Sequence, residues 1–193
     1  MKAYILPALR LLLVLTIVTG IAYPLAMTLF AYAACPRQAH GSFVELNGTI
    51  VGSSLIGQKF SRPDYFHSRP SAIEYQPLPS SGTNFGPTSA AMRDSAVIRR
   101  TQFAADNFLK EDVSVPKEML FASGSGLDPH ISPEAARLQV ERVARARGFD
   151  ERTRTALIAL IDRTVESPEF GFLGQSRIDV LRLNLALDGM QKR

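Results

Sequence analysis

The sequence predicts an α+β protein with one N-terminal transmembrane helix followed by a single mixed α+β soluble domain. Three observations carry that prediction. Residues Leu11 to Ala34 are 24 consecutive positions without a charge. Asn47-Gly48 lies between two short runs suited to strands, Phe43-Val44-Glu45-Leu46 and Thr49-Ile50-Val51. Beyond residue 88, segments with helical spacing carry recognisable starts and stops.

The apolar run comes first. A helix rises about 1.5 Å per residue, so this stretch reaches about 36 Å and can cross a hydrocarbon core of about 30 Å. Pro24 predicts a kink, since it removes one backbone donor, and Thr16, Thr19 and Thr28 are available to the freed carbonyl. Gly20 leaves room for a neighbouring helix. Lys2, Arg10 and the amino terminus lie before the span, and Arg37 and Lys59 after it. That balance favours a cytoplasmic N-terminus. The expected organisation is a short tail over 1–10, a transmembrane helix over 11–34 and an extracytoplasmic, periplasmic domain over 35–193. Two alternatives compete: a cleaved secretory signal ending at Ala31-Tyr32-Ala33, and a lipoprotein acceptor at Cys35. The run is longer than the roughly 7–15 apolar residues of a signal peptide, which favours a retained helix.

Asn47-Gly48 suits the two positive φ angles of a type I′ turn and predicts a hairpin just beyond the span. From Phe60 to Thr88 the chain is rich in Pro, Ser, Gly and Asn. Its Phe60, Tyr65, Phe66, Tyr75 and Phe85 predict an ordered, packed loop rather than a disordered one. Ser89 to Leu109 reads as a helix with Ala91, Ala96, Val97, Phe103, Ala104 and Phe108 on its apolar face, and with Arg99 and Arg100 opposite. Ser132-Pro133-Glu134 is a capped helix start, and that helix runs to Arg147 and stops at Gly148. Asp150 caps a further helix that ends before Pro168. Ile178 and Val180 suggest a short strand, which Leu181 to Leu187 either extends or converts into a final helix.

Composition excludes several functions. The net charge of +4 is modest and the charges are interspersed, with no basic block alternating with aromatics, so nucleic acid is not a partner. One cysteine allows no internal disulfide, and His40, His67 and His130 lack ligand spacing, so no metal site is expected. No GxxxxGK[ST] phosphate loop is present. Gly124-Ser125-Gly126 begins like a dinucleotide fingerprint but lacks its last glycine and a strand-to-helix context.

The stretch from Ala122 to Ser132 is the most informative. Ser123, Gly124, Ser125, Gly126, Asp128 and His130 bring flexible backbone, hydroxyls, an acid and an imidazole to a helix N-terminus. These could bind an anion or a carbonyl. A membrane-tethered periplasmic hydrolase using Ser125 and His130 is one reading, although no GxSxG elbow surrounds either serine. The simpler reading is a hydrogen-bonded turn that caps the next helix. Asp64, His67 and Arg69 invite the same pair of readings, their simpler role being to satisfy loop backbone or meet a partner.

Several segments in one order resemble a known family. They are Tyr23-Pro24, Ala39-His40-Gly41-Ser42, Gly52 to Gln58, Tyr65 to Ser71, Ser81-Gly82-Thr83-Asn84, Ala122 to Ser132, Gln139 to Ala144 and Asn184 to Asp188. Together they resemble the KdpC family, the small subunits of bacterial Kdp potassium-transporting ATPases. The departures are small: Ser81 to Asn84 is usually richer in glycine, and an aromatic usually stands at Cys35. The resemblance implies a non-catalytic accessory subunit in the inner membrane. Its partners would be a potassium-binding channel-like subunit, a P-type ATPase subunit, a small one-helix subunit and the lipid bilayer. It further implies a catalytic chaperone that raises the pump's ATP affinity, with no tightly bound cofactor of its own and ATP acting through the complex. Ser123, Gly124, Ser125, Gly126, Asp128, His130 and Gln139 are then candidates for a nucleotide-linked or partner-contact role. Gln58, Tyr65, Phe66, Arg69 and Asn84 are candidates for a partner-contact loop.

Overall fold

The computed structural model describes residues 2–191, so the expected limits at positions 1 and 193 fall outside it. The chain divides into two compact units, one running through Ser53 and one beginning at Ser54.

The first unit is the apolar helix followed by a hairpin. Helix α1 spans Lys2–Ile17 and α2 spans Tyr23–Ala34, joined by a π-helical turn over Val18–Ala22. Tyr4–Ala34 is long and apolar enough to cross a membrane by length and composition, and none of it is buried. The effect expected of Pro24 takes the form of the wider turn one step earlier: Tyr23 N–H reaches back to Val18 O rather than to the fourth carbonyl. Thr19 and Thr28 hydroxyls donate to Leu15 O and Pro24 O, one turn back, rather than to the carbonyl that Pro24 leaves without a donor. A four-residue helix α3, Pro36–Ala39, follows the exposed Cys35. Strands β1 (Phe43–Leu46) and β2 (Thr49–Ser53) pair antiparallel with Leu46 opposite Thr49. Asn47 and Gly48 take φ of 53° and 76°, the two positive values the expected turn requires.

The second unit carries the core. Its helices are α4 (Ala90–Asp106), α5 (Lys117–Leu120), α6 (Pro133–Leu138), α7 (Val140–Arg147), α8 (Glu151–Thr164) and α9 (Val180–Gln191). Two-residue strands β3 (His130–Ile131) and β4 (Ile178–Asp179) pair antiparallel, with His130 opposite Asp179. Caps at Ser132 and Asp150 accept from Ala135 and Thr153 backbone N–H groups, as expected, and Ser89 caps α4 in the same way by accepting from Met92 N–H. Gly148 closes α7 with φ 65°. Ala135, Val143, Leu157, Ile161, Leu183 and Leu187 are buried between α6, α7, α8 and α9, with Phe66 of the long loop fully buried among them.

Two expectations need correction. The helix expected from Ser132 to Arg147 is interrupted at Gln139, whose φ of −90° and ψ of −8° separate α6 from α7. The face assigned to the first long helix is also rotated. Arg99 lies on the packed side and donates to Leu120 O, while Val97 and Ile98 are 59% and 66% exposed. Met92, Ser95, Ala96, Arg99, Phe103 and Ala104 are the half-buried stripe, so Ala96, Phe103 and Ala104 lie where expected, and Arg99 joins them because an arginine stem can pack while its head finds a carbonyl.

Candidate functional site

The long aromatic loop is ordered by side-chain amides. Phe66 N–H donates to Asn184 Oδ1 (2.8 Å), and Asn184 Nδ2 donates back to Phe66 O (3.0 Å). His67 N–H donates to Gln139 Oε1 (2.7 Å), and Gln139 Nε2 donates to His67 O (3.2 Å). Each amide thus serves both backbone groups of one residue, as a neighbouring strand would. Burial of the loop requires this, because unpaired backbone groups away from water are costly. Gln139 and Asn184 are 0% and 2% exposed. The break between α6 and α7 is where Gln139 stands.

Arginines complete the attachment. Arg142, on α7, donates to Gln139 Oε1, Asn107 Oδ1, Pro63 O and Tyr65 O at 2.6–3.0 Å. Burial lowers its pKa to about 10, still charged at neutral pH. Burial first, and then the Arg142 charge, pushes the His67 imidazole below its usual range. His67 Nε2 lies 3.0 Å from Arg62 O, so this ring serves loop backbone. Arg147 donates to Asp64 O and Asp188 Oδ1, lying 4.9 Å from the Tyr65 ring centre, and Tyr65 OH donates to Asp188 Oδ2.

The stretch from Ala122 to Ser132 meets this loop on its other side. Arg69 Nη1 donates to Asp128 Oδ2 at 2.6 Å, Ser123 N–H to Pro70 O, and Ser71 Oγ to Gly126 O. Asp128 Oδ1 accepts from His130 N–H, and the His130 ring lies 3.5 Å from Asp128 and 4.0 Å from Glu166. Burial would raise the Asp128 pKa, but hydrogen bonds from His130 and Arg69 outweigh it and hold the carboxyl at about 2. Glycine is required where the strands of loop cross. A Cβ on Gly57 would stand 2.6 Å from Asp128 O, and one on Gly126, at φ 72°, 2.5 Å from the Ile73 side chain.

The predicted residues therefore sort cleanly by position. Ser125 Oγ accepts from Leu127 N–H, and no hydrogen bond joins it to His130 among the described residues, so the hydrolase arrangement is not assembled. Ser123 is 3% exposed and its Oγ is buried without a partner among the described residues. Gly124 is exposed, with its carbonyl close beneath Gly82. Gln58 O accepts from Ser68 Oγ. Asn84 is exposed with φ 53°. Tyr65, Phe66 and Gln139 are brought together as loop-to-helix contacts, whereas Arg69 joins the loop to Asp128 of the Ala122 to Ser132 stretch. Asn184, Arg142 and Arg147 were not singled out by sequence reading as site residues. Their partners lie up to 118 residues away, and no local pattern marks them. Among the described residues, no group of three His, Cys, Asp or Glu side chains could hold a metal ion.

Fold and site define a protein with one candidate membrane span and a small α+β domain whose buried polar groups fasten its own loops. The chain belongs to the KdpC family: the profile described as K+-transporting ATPase, c chain, matches residues 5–189. It is 47% identical over 188 residues to the "Potassium-transporting ATPase KdpC subunit" of Cereibacter sphaeroides, covering 97% of this chain and 98% of that one. The protein of the same name from Sorangium cellulosum is 49% identical over 193 residues (98% and 99% covered). That from Methylorubrum populi is 45% identical over 207 residues, with both chains fully covered.

Proposed function

We propose that this chain is a non-catalytic accessory subunit of an ATP-driven, high-affinity potassium uptake complex. The observation that carries the reading is the end-to-end match to relatives named as subunits of a potassium-transporting ATPase. Its partners are a potassium-binding channel-like subunit, a P-type ATPase subunit and a one-helix subunit. The apolar helix lies in the inner membrane with its N-terminus cytoplasmic, and the soluble domain is periplasmic, in line with the charge balance around the span. Labelling a cysteine added at the C-terminus from outside the cell checks this placement; labelling only from the cytoplasm overturns it.

The chain raises the pump's affinity for ATP by a coupling free energy carried through the assembled subunits, not by touching nucleotide. Supporting this, both amide atoms of Gln139 are occupied by His67 backbone, and Ser123 is buried. The test compares the ATP KM of the complex with and without this chain, beside equilibrium ATP binding to the full chain alone in detergent. The expected result is a lower KM with the chain present and no binding by the chain alone. Saturable ATP binding by the isolated chain overturns the indirect mechanism.

A further inference from the structure

Between α8 and β4 the chain doubles back as a narrow finger. Glu166 and Arg177 exchange both backbone hydrogen bonds, at 2.8 and 3.1 Å, and Glu169 and Leu173 do the same at 3.0 and 2.9 Å. Arg177 braces the base, its guanidinium 3.2 Å from both Glu166 and Glu169 carboxylates. At the tip, Phe170, Phe172 and Leu173 are 85%, 75% and 51% exposed. Residues 170 to 176 carry no charge.

The tip backbone argues that these side chains are there for contact. Phe170 has φ 54° and Gly171 φ 81°, the paired positive angles of a tight turn. Asn or Gly meets that geometry at little cost, whereas a bulky residue there is an outlier. The position therefore holds a large apolar side chain at some conformational cost, pointed into solvent, on a braced scaffold. Such pre-organisation favours a shaped recipient.

We propose that Phe170, Phe172 and Leu173 form a docking finger that enters an apolar pocket on a neighbouring protein subunit of the transporter. This rests on the reading of the chain as a subunit. Two observations select a protein pocket over lipid, and the area available argues against a second copy. A lipid interface is held by Trp, Tyr, Lys and Arg, and the tip has none of them. Phe has no polar end to leave in the headgroups, so it suits a dry pocket. Burying two Phe and one Leu removes roughly 400 Å² of this chain's surface, well short of the roughly 800 Å² per partner of a stable free dimer. The finger is thus a secondary contact between partners already held together by the span, where effective concentration makes a small patch sufficient.

The test uses the full chain expressed with its transporter. A benzophenone amino acid replaces Phe172, and the intact complex is irradiated in membranes. In parallel, a Phe170→Asn, Phe172→Ser variant is assayed for retention on the affinity-purified complex; Asn keeps the turn, and thermal unfolding of the variant chain reports the fold. The expected outcome is a covalent adduct to another transporter subunit, with retention reduced about tenfold while the melting temperature is unchanged. Adducts to lipid alone, adducts to a second copy alone, no adduct, or undiminished retention of the double variant each overturn the finger. Failure of the unaltered chain to co-purify overturns the subunit reading, and this one with it.

Discussion

Replacing Gln139 by Met separates a structural amide from a ligand-binding one. Met matches the volume, so no cavity is added, and only polar contacts are lost. Three bonds disappear: His67 N–H and Arg142 Nη2 lose their acceptor, and His67 O loses its donor. The two neutral bonds contribute about 1 kcal/mol each and the charged one about 2 kcal/mol, giving about 4 kcal/mol in all. For a domain of this size that lowers the melting temperature by about 15 °C. Thermal unfolding of the detergent-solubilised chain measures it, and hydrogen exchange at the His67 amide should accelerate with it. Gln139→Glu keeps the acceptor for both donors and should lose less than half as much. A Q139M chain within 1 kcal/mol of the unaltered protein would refute the clamp. Lowered ATP affinity of the transporter with unchanged melting would instead assign the amide to nucleotide.

Further outcomes follow from the same contacts. Asn184→Leu strips both backbone groups of Phe66 of their partners and should cost about 2–4 kcal/mol, measured by urea unfolding. Gly57→Ala drives a methyl to within 2.6 Å of Asp128 O, so a loss of about 1–3 kcal/mol is expected, and a neutral effect would contradict the packing of the two loops. Asp128, held at about 2 in the fold against an ordinary 3.8, contributes about 2 kcal/mol that is present above pH 4. That contribution is lost as pH falls from about 4 to about 2; Asp128→Asn should flatten the stability curve across this window, which acid titration of unfolding would record.

Local chemistry made much of the fold legible. The Asn47-Gly48 turn, the caps at Ser132 and Asp150, and the left-handed Gly148 all follow from steric and hydrogen-bonding rules acting over four residues or fewer. The order of the aromatic loop was readable from Phe66 and Tyr65, whose rings need burial. What holds that loop was not readable, because Gln139 and Asn184 are 72 and 118 residues from the backbone they serve. The rotated face of α4 has a similar origin: Arg99 is paired to Leu120 O by tertiary contact, against its polarity. The stretch from Ala122 to Ser132 does meet the Arg69 loop, but mostly through turn and crossing contacts that its glycines and serines permit. The Phe170 tip escaped notice because exposure of an apolar side chain is a property of the folded surface.

The closing of the Phe66 clamp by Asn184 sets an order of events during synthesis. The proline-rich stretch leaves the ribosome well before the residue that secures it, 118 positions further along the chain. A polypeptide that lacks α9 leaves the Phe66 backbone open to proteases. The finished chain covers it. Protection of this point from digestion therefore reports that α9 has docked on the loop.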